Sequence, residues 1–185
     1  MSLGIIKKET PFGEKQGRKS LYVVEDNLFR FWYRFIPENI SALQNGMEDV
    51  IYRKISEQFN SYMGYVFEEI CKQYLWLRNR QGSLPFIFTG LGRWWGTDSR
   101  TRTQEEIDII AADGSNALIC ECKWRNEPVG TDVLDKLSER STLVNYTSTW
   151  LFIFSKSGFT ESCRNAAAER PNVFLVSFEQ MYEEF

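Results

Sequence analysis

Apolar positions recur at helical spacing from residue 59 onward: Phe59, Met63, Val66, Phe67, Ile70, Tyr74 and Leu77 fall on one stripe, and Gly82 and Pro85 end it. The pattern then predicts strands over 91–96 and 106–112, a turn at 113–116 and a third strand over 117–124. Thr131 is placed to N-cap a helix over 132–143. The unbroken apolar run 150–154 suits a central strand buried on both faces. A helix over 161–170, stopped by Pro171, and a last strand over 173–178 complete the order α-β-β-β-α-β-α-β. The expectation is an α/β domain over 59–185 with a mixed central sheet flanked by helices.

Residues 1–58 read differently. Short strands at 4–6 and 21–24 enclose a polar, basic turn at 13–19, and Asp26 is placed to cap a helix over 27–36. That helix carries Phe29, Phe31, Trp32, Tyr33 and Phe35, and so needs a buried partner; Pro37 ends it, and a second helical stretch covers 41–59. No independent core is visible, so 1–58 is read as a β-wing and helical arm docked on the main domain or on a second copy. The opening Met1-Ser2-Leu3 resembles a cloning remnant, so the chain is read as a fragment of a longer protein. Gly13 to Ser20 imitates a phosphate-binding loop, but the spacing is short and Arg18 intrudes before Lys19. With no buried strand before it and no helix after it, no phosphate cradle forms and no ATP is expected to bind.

Composition narrows the chemistry. The 185 residues are 43% hydrophobic and 25% charged, and no run approaches the ~18 apolar residues a membrane span needs; a cytoplasmic protein is expected. There is no histidine, which removes histidine bases, histidine-dependent nucleophiles and histidine-ligated zinc together. Cys120 and Cys122 alternate along an apolar strand and read as buried free thiols. An enzyme built from carboxylates, lysine and hydroxyls suits a hard cation such as Mg²⁺ or Mn²⁺. The net charge of −3 is no nucleic-acid signature, yet residues 78–102 hold five arginines against the single Asp98. Arg93, Trp94, Arg100 and Arg102 are either a solvated loop and strand edge or a phosphate-contacting stripe with aromatic support.

The hairpin carries the chemistry. Alternation puts Ile107 and Ile109 on one face and Asp108 and Ile110 on the other. On the next strand Ala117, Ile119, Glu121 and Lys123 share a face. If the loop is 113–116, or a two-residue turn at Gly114-Ser115, Ala112 pairs with Ala117 and Asp108 lies opposite Glu121. Two opposed carboxylates repel unless a divalent cation sits between them. Lys123, on the same face, adds a cation that can offset charge, position water or stabilise a phosphorane-like transition state.

The run 106–110, followed by Glu121-Cys122-Lys123, resembles the PD-(D/E)XK nuclease superfamily, and the core order is similar too. The resemblance implies a restriction-endonuclease-like fold with Asp108 and Glu121 as metal ligands and Lys123 as the catalytic lysine. It also implies a helical glutamate completing the metal shell, matched by Glu68 in the run 64–69. Helical geometry alone does not separate Glu68 from Glu69. Isoleucine replaces the proline of the family's motif before Asp108. The runs 26–35, Trp94-Trp95 and 154–159 are similar to the C-terminal part of archaeal-type AAA+ ATPases. That similarity implies a missing ATPase domain as partner, with residues 4–25 the last wing of a winged helix. Three functions follow: a Mg²⁺-dependent DNA phosphodiesterase, an inactive nuclease-fold module that binds nucleic acid or protein for an attached ATPase, and a structural dimerisation domain.

Overall fold

The protein is described by a computed structural model over residues 4–14 and 19–183; residues 15–18, the middle of the phosphate-loop lookalike, lie outside the described residues. Strands β1 (Ile6–Glu9) and β2 (Leu21–Val24) form a small antiparallel sheet. Asp26 caps α1 (Asn27–Phe35), its carboxylate accepting the Phe29 N–H at 2.9 Å. Pro37 ends α1, but the chain stays helical through a 3-10 turn (Pro37–Asn39) and α2 (Ile40–Gln44), because proline is tolerated where its N–H has no partner to lose.

The stretches expected at 41–59 and beyond 59 are largely one helix, α3 (Glu48–Arg80), of 33 residues. Gly64 lies inside it, and a lone glycine costs only about 1 kcal/mol relative to alanine, too little to break a packed helix. The 58/59 division drawn from sequence falls within α3. The aromatic face of α1 packs on its first half: Phe31 and Phe35 each meet Tyr62 with ring centroids 5.8 Å apart, and the Tyr62 hydroxyl donates to the Asn27 carbonyl at 2.9 Å. The Arg30 guanidinium lies 3.4 Å over the Tyr65 ring.

The main sheet is mixed, in the order β3 (Gly90–Thr97), β4 (Gln104–Asp113), β5 (Asn116–Lys123), β6 (Ser148–Ser155), β7 (Val173–Ser177). The first three strands are antiparallel neighbours; β5, β6 and β7 run parallel. Helices α4 (Thr131–Ser141) and α5 (Glu161–Ala168) bury Val133, Leu134, Leu137 and Cys163 against one face with Ile119, Leu151 and Ile153. The second half of α3 and α6 (Phe178–Glu183) cover the other, through Phe67, Cys71, Tyr74, Leu75 and Met181 against Leu118, Cys120, Phe152 and Phe154. The run 150–154 thus divides between two cores, as a central strand should. Among the described residues no helix is long and apolar enough to cross a membrane.

Several local expectations shift. Gly130, not Thr131, occupies the cap of α4, with no side-chain cap bond. Phe178 leaves β7 to begin α6, because Ser177 and Gln180 form a capping box: the Gln180 N–H donates to Ser177 Oγ at 3.2 Å and the Ser177 N–H to Gln180 Oε1 at 2.8 Å. Cys71, Cys120 and Cys163 are buried free thiols, whereas Cys122 is partly exposed.

The larger correction lies on β4. Gly92 pairs with Ile110 but Trp94 pairs with Ile107, so Arg93 alone faces both Asp108 and Ile109. This is a β-bulge, and it resets the alternation. Ile107 joins Ile110 and Ala112 in the core under α4, while Ile109 and Ala111 belong to the core under α3. Ile107 and Ile109 therefore do not share a face.

Phe67 is fully buried, with its ring 5.2 Å from Trp124 and 6.0 Å from Phe178. Phe67→Ala should destabilise the protein by about 3–5 kcal/mol, the range for a buried phenylalanine truncated to a cavity, read as a lower denaturation midpoint.

Candidate active site

The turn at Gly114-Ser115 sets the hairpin register as expected: Asp113 pairs with Asn116, Ala112 with Ala117, and so on to Ile109 with Cys120. Gly114 takes φ +56°, the left-handed conformation that tight hairpins need. The ladder ends there, one pair short of the expected Asp108–Glu121 opposition. In register, Cys122 would next face Ile107. Its N–H donates instead to Asp108 Oδ2 at 2.8 Å. The bulge turns Asp108 into the seam between the strands, where its carboxylate replaces the lost backbone acceptor.

That seam gathers charge from both faces of the sheet. Glu121 lies on the α4 side, almost fully buried, with Oε1 accepting from Lys123 Nζ and Oε2 from Arg140 Nη1 at 3.0 Å. Arg140 Nε also donates to Glu105 Oε2 at 2.9 Å. On the α3 side, Glu68 presents a buried Oε2 that has no hydrogen-bond partner. Its neighbour Glu69 is taken by Lys72 at 2.6 Å. The two glutamates that helical geometry leaves equivalent differ in space: Glu68 is the one on which the Asp108 charge acts.

Burial, and then the Asp108 charge, push the Glu68 carboxyl up to about 8. Asp108 is raised for the same reason, by burial and then by Glu121, against the opposing pull of the Cys122 N–H and Lys123. Burial alone would lower Lys123, but the Glu121 charge and hydrogen bond outweigh it and hold the ammonium above its ordinary value. Lys123 is thus a cation here and a poor base.

Of the arginine stripe, Arg93 belongs to this centre: its Nε donates to Glu106 Oε1 at 2.9 Å, and the Glu68 and Asp108 charges act on it. Trp94 points the other way and packs against the core under α4, its indole lying over Gly96. Arg100 is tied to Asp98 and to Thr142 Oγ1 at 3.2 Å; it shares with Arg140 and Lys136 the walls of a cleft of about 490 Å³. Arg102 is exposed in a tight turn at φ 59°. The four do not form one surface.

Arg140 escaped the sequence reading. The signal was a charged residue on the apolar stripe of α4, following Val133 and Leu137 at helical spacing. Among the described residues no group of three or more carboxylate or thiol side chains stands ready to hold a metal ion. Glu68 and Asp108 are under-neutralised, whereas both oxygens of Glu121 are engaged.

Residues 32–141, more than half of the chain and the stretch holding this whole cluster, match the family DUF234, described as archaea bacterial proteins of unknown function. The chain is 36% identical over 124 residues to the uncharacterized protein MJECL04 of Methanocaldococcus jannaschii; the match covers 65% of this chain and 26% of that protein, about a quarter of its length. It is similar to the solved structure of a protein of unknown function, AF1548, with a TM-score of 0.39 and 18% identity, over 62% of this chain and 65% of that one. It is also similar to the DNA modification-dependent restriction endonuclease AspBHI, with a TM-score of 0.35 and 16% identity, over 74% of this chain and 33% of that one.

Glu68 gives this centre a pH signature. Its carboxyl ionises near 4.5 when unfolded and near 8 when folded, so between those values the folded state holds the extra proton. Stability then falls as pH rises through that window. In EDTA, Glu68→Gln should flatten the fall and stabilise the protein at pH 8 by roughly 1–3 kcal/mol, the scale of an unsatisfied buried group. Urea unfolding from about pH 5 to about 8 reads this, and parallel pH profiles would refute it.

Proposed function

The chain belongs to the DUF234 family, and from that starting point we propose that its mixed α/β domain is a restriction-endonuclease-like domain, a Mg²⁺- or Mn²⁺-dependent phosphodiesterase acting on DNA. The observation that carries this reading is the Asp108 carboxylate set in the β4–β5 seam, with Glu68 on one side and Glu121 and Lys123 on the other. The element order α3-β3-β4-β5-α4-β6 supports it, being the order of that nuclease core.

The donors fit a hard divalent cation in part. Glu68 offers its unpartnered oxygen, Asp108 the oxygen not used by Cys122, and Glu121 an oxygen once Arg140 or Lys123 releases one. A cation held by these residues would supply Lewis acidity to a bound water and offset charge on the phosphate. Glu68 must first lose its proton, so occupancy rises with pH up to about 8. Lys123 stays protonated beside Glu121, so its role is to orient water and stabilise negative charge rather than to abstract a proton. Arg140 holds Glu121 in place until a competing charge arrives.

The saturation of Glu121 by Lys123 and Arg140 favours a second reading, a nuclease-fold module that binds nucleic acid or protein without cutting. In either reading an ATPase domain elsewhere in a longer protein is the proposed partner, consistent with the quarter of the Methanocaldococcus relative that the chain spans.

A Mn²⁺ titration followed by a plasmid-cleavage assay in Mg²⁺ separates the two. The wild type should bind and cut, and Asp108→Ala should lose both. Lys123→Ala should lose cleavage by about 10²-fold or more, as when one electrostatic stabiliser is removed, while keeping nearly all of its cation affinity. Lys123→Arg should recover part of the rate, since it preserves charge but not the compact ammonium geometry. A wild type that neither binds Mn²⁺ nor cuts leaves the non-cleaving module.

A further inference from the structure

The parallel strands end together. Lys123, Ser155 and Ser177 stand side by side at the carboxyl ends of β5, β6 and β7. At a strand spacing of about 4.8 Å, Ser177 is about 10 Å from Lys123. Beyond these ends lies a cleft of about 620 Å³, separate from the carboxylates and lined by Lys156, Ser157, Gly158, Arg164, Ser177 and Gln180, with Glu179 as its one acid among the described residues. Openings beyond the carboxyl ends of strands are where open α/β sheets receive ligands.

The walls of this cleft are held firmly. The Lys156 N–H donates to the Lys123 carbonyl at 3.0 Å, fastening the 156–159 loop to the strand that carries Glu121 and Lys123. Ser157 Oγ donates to the Arg125 carbonyl at 2.7 Å, and the Val129 N–H to the Gly158 carbonyl at 2.9 Å. Gly158 adopts φ +73°, and a Cβ there would point toward Arg164 Nη2, 4.0 Å away, so bare backbone forms the wall beside the guanidinium. Arg164 is oriented by two bonds to the Phe159 carbonyl, at 3.3 and 3.0 Å. Lys156 is steered by Asn126 Oδ1 at 2.7 Å and by the Trp124 ring 5.0 Å away.

We infer that this cleft is a phosphodiester subsite, which seats the backbone of a nucleic-acid strand running across the ends of β5, β6 and β7. The inference rests on the proposed nucleic-acid substrate and adds where a second phosphate of that strand lies. Lys156 and Arg164 against Glu179 leave one net positive charge, which matches the single negative charge of a phosphodiester. Among the described residues the only aromatic ring in the lining, that of Phe159, is buried, so the cleft contacts backbone rather than stacking a base.

The test is duplex binding, measured by fluorescence anisotropy of a labelled DNA oligonucleotide in EDTA, where no cleavage occurs. Lys156→Gln with Arg164→Gln should weaken binding about tenfold and lower the salt slope by about 0.9, one phosphate contact. The charge-preserving pair Lys156→Arg and Arg164→Lys should recover binding, which excludes a folding defect. Binding in EDTA needs neither the cation nor cleavage, so failure of the catalytic reading would leave this result intact. Unchanged affinity and slope in the neutralised pair would overturn the inference. So would inorganic phosphate that perturbs the cleft resonances while the duplex is insensitive to both substitutions, since that outcome describes a small-anion site.

Discussion

A β-ladder that ends inside a protein leaves backbone N–H groups needing another acceptor, because an unpaired buried donor costs about as much as a lost hydrogen bond. Here the donor is the Cys122 N–H, and the acceptor is a carboxylate. The exchange depends on the bulge opposite Arg93, which places one extra residue in β4 just where β5 would otherwise pair on. Without that residue Asp108 would project from one sheet face like its neighbours. With it, Asp108 lies between the faces, where Glu121 of β5 acts on it and it in turn acts on Glu68 of α3.

The resulting cluster is unevenly neutralised. Glu121 has Lys123 and Arg140, Asp108 has a backbone N–H, and the buried oxygen of Glu68 has nothing. Buried charges are tolerated when paired, and an unpaired one either takes up a proton or recruits a cation. The raised Glu68 and Asp108 carboxyls are the first of these outcomes. A divalent cation of the kind proposed above would be the second. Arg140 and Lys123 act in the opposite sense by stabilising Glu121 without a metal.

Helix α3 ties this centre to the N-terminal arm. Its first half receives the aromatic face of α1 at Tyr62, Arg30 of α1 lies over Tyr65 at its middle, and its second half supplies Phe67, Cys71 and Leu75 to the core. Glu68 sits at the junction. A helix of this length is about 50 Å long at 1.5 Å per residue, and it is continuous through the junction. The arm and the carboxylate centre are therefore mounted on one continuous helix, although other aromatic and apolar side chains of the arm, Trp32 and Tyr33 among them, remain exposed.

What the sequence determined by itself was whatever depends on local pattern. The order of elements, the split of 117–124 between two faces and the hairpin register from Gly114-Ser115 were all legible, because strand and helix periods and turn chemistry act over a few residues. The capping box at Ser177 and Gln180 was equally local, though its signal went unread. Tertiary structure alone decided the bulge, since a two-for-one mismatch between β3 and β4 leaves no mark on the alternation of β4 by itself. It also gave Glu68 and Glu69, which helical geometry leaves equivalent, different surroundings: Lys72 claims Glu69, and Glu68 keeps a buried oxygen without a hydrogen-bond partner. Arg140 was brought to Glu121 from a helix that follows it in sequence, and Trp94 was turned away from Arg93 into the core. Each of these is a pairing between distant segments, and burial and charge act through space, which no single stretch of sequence records.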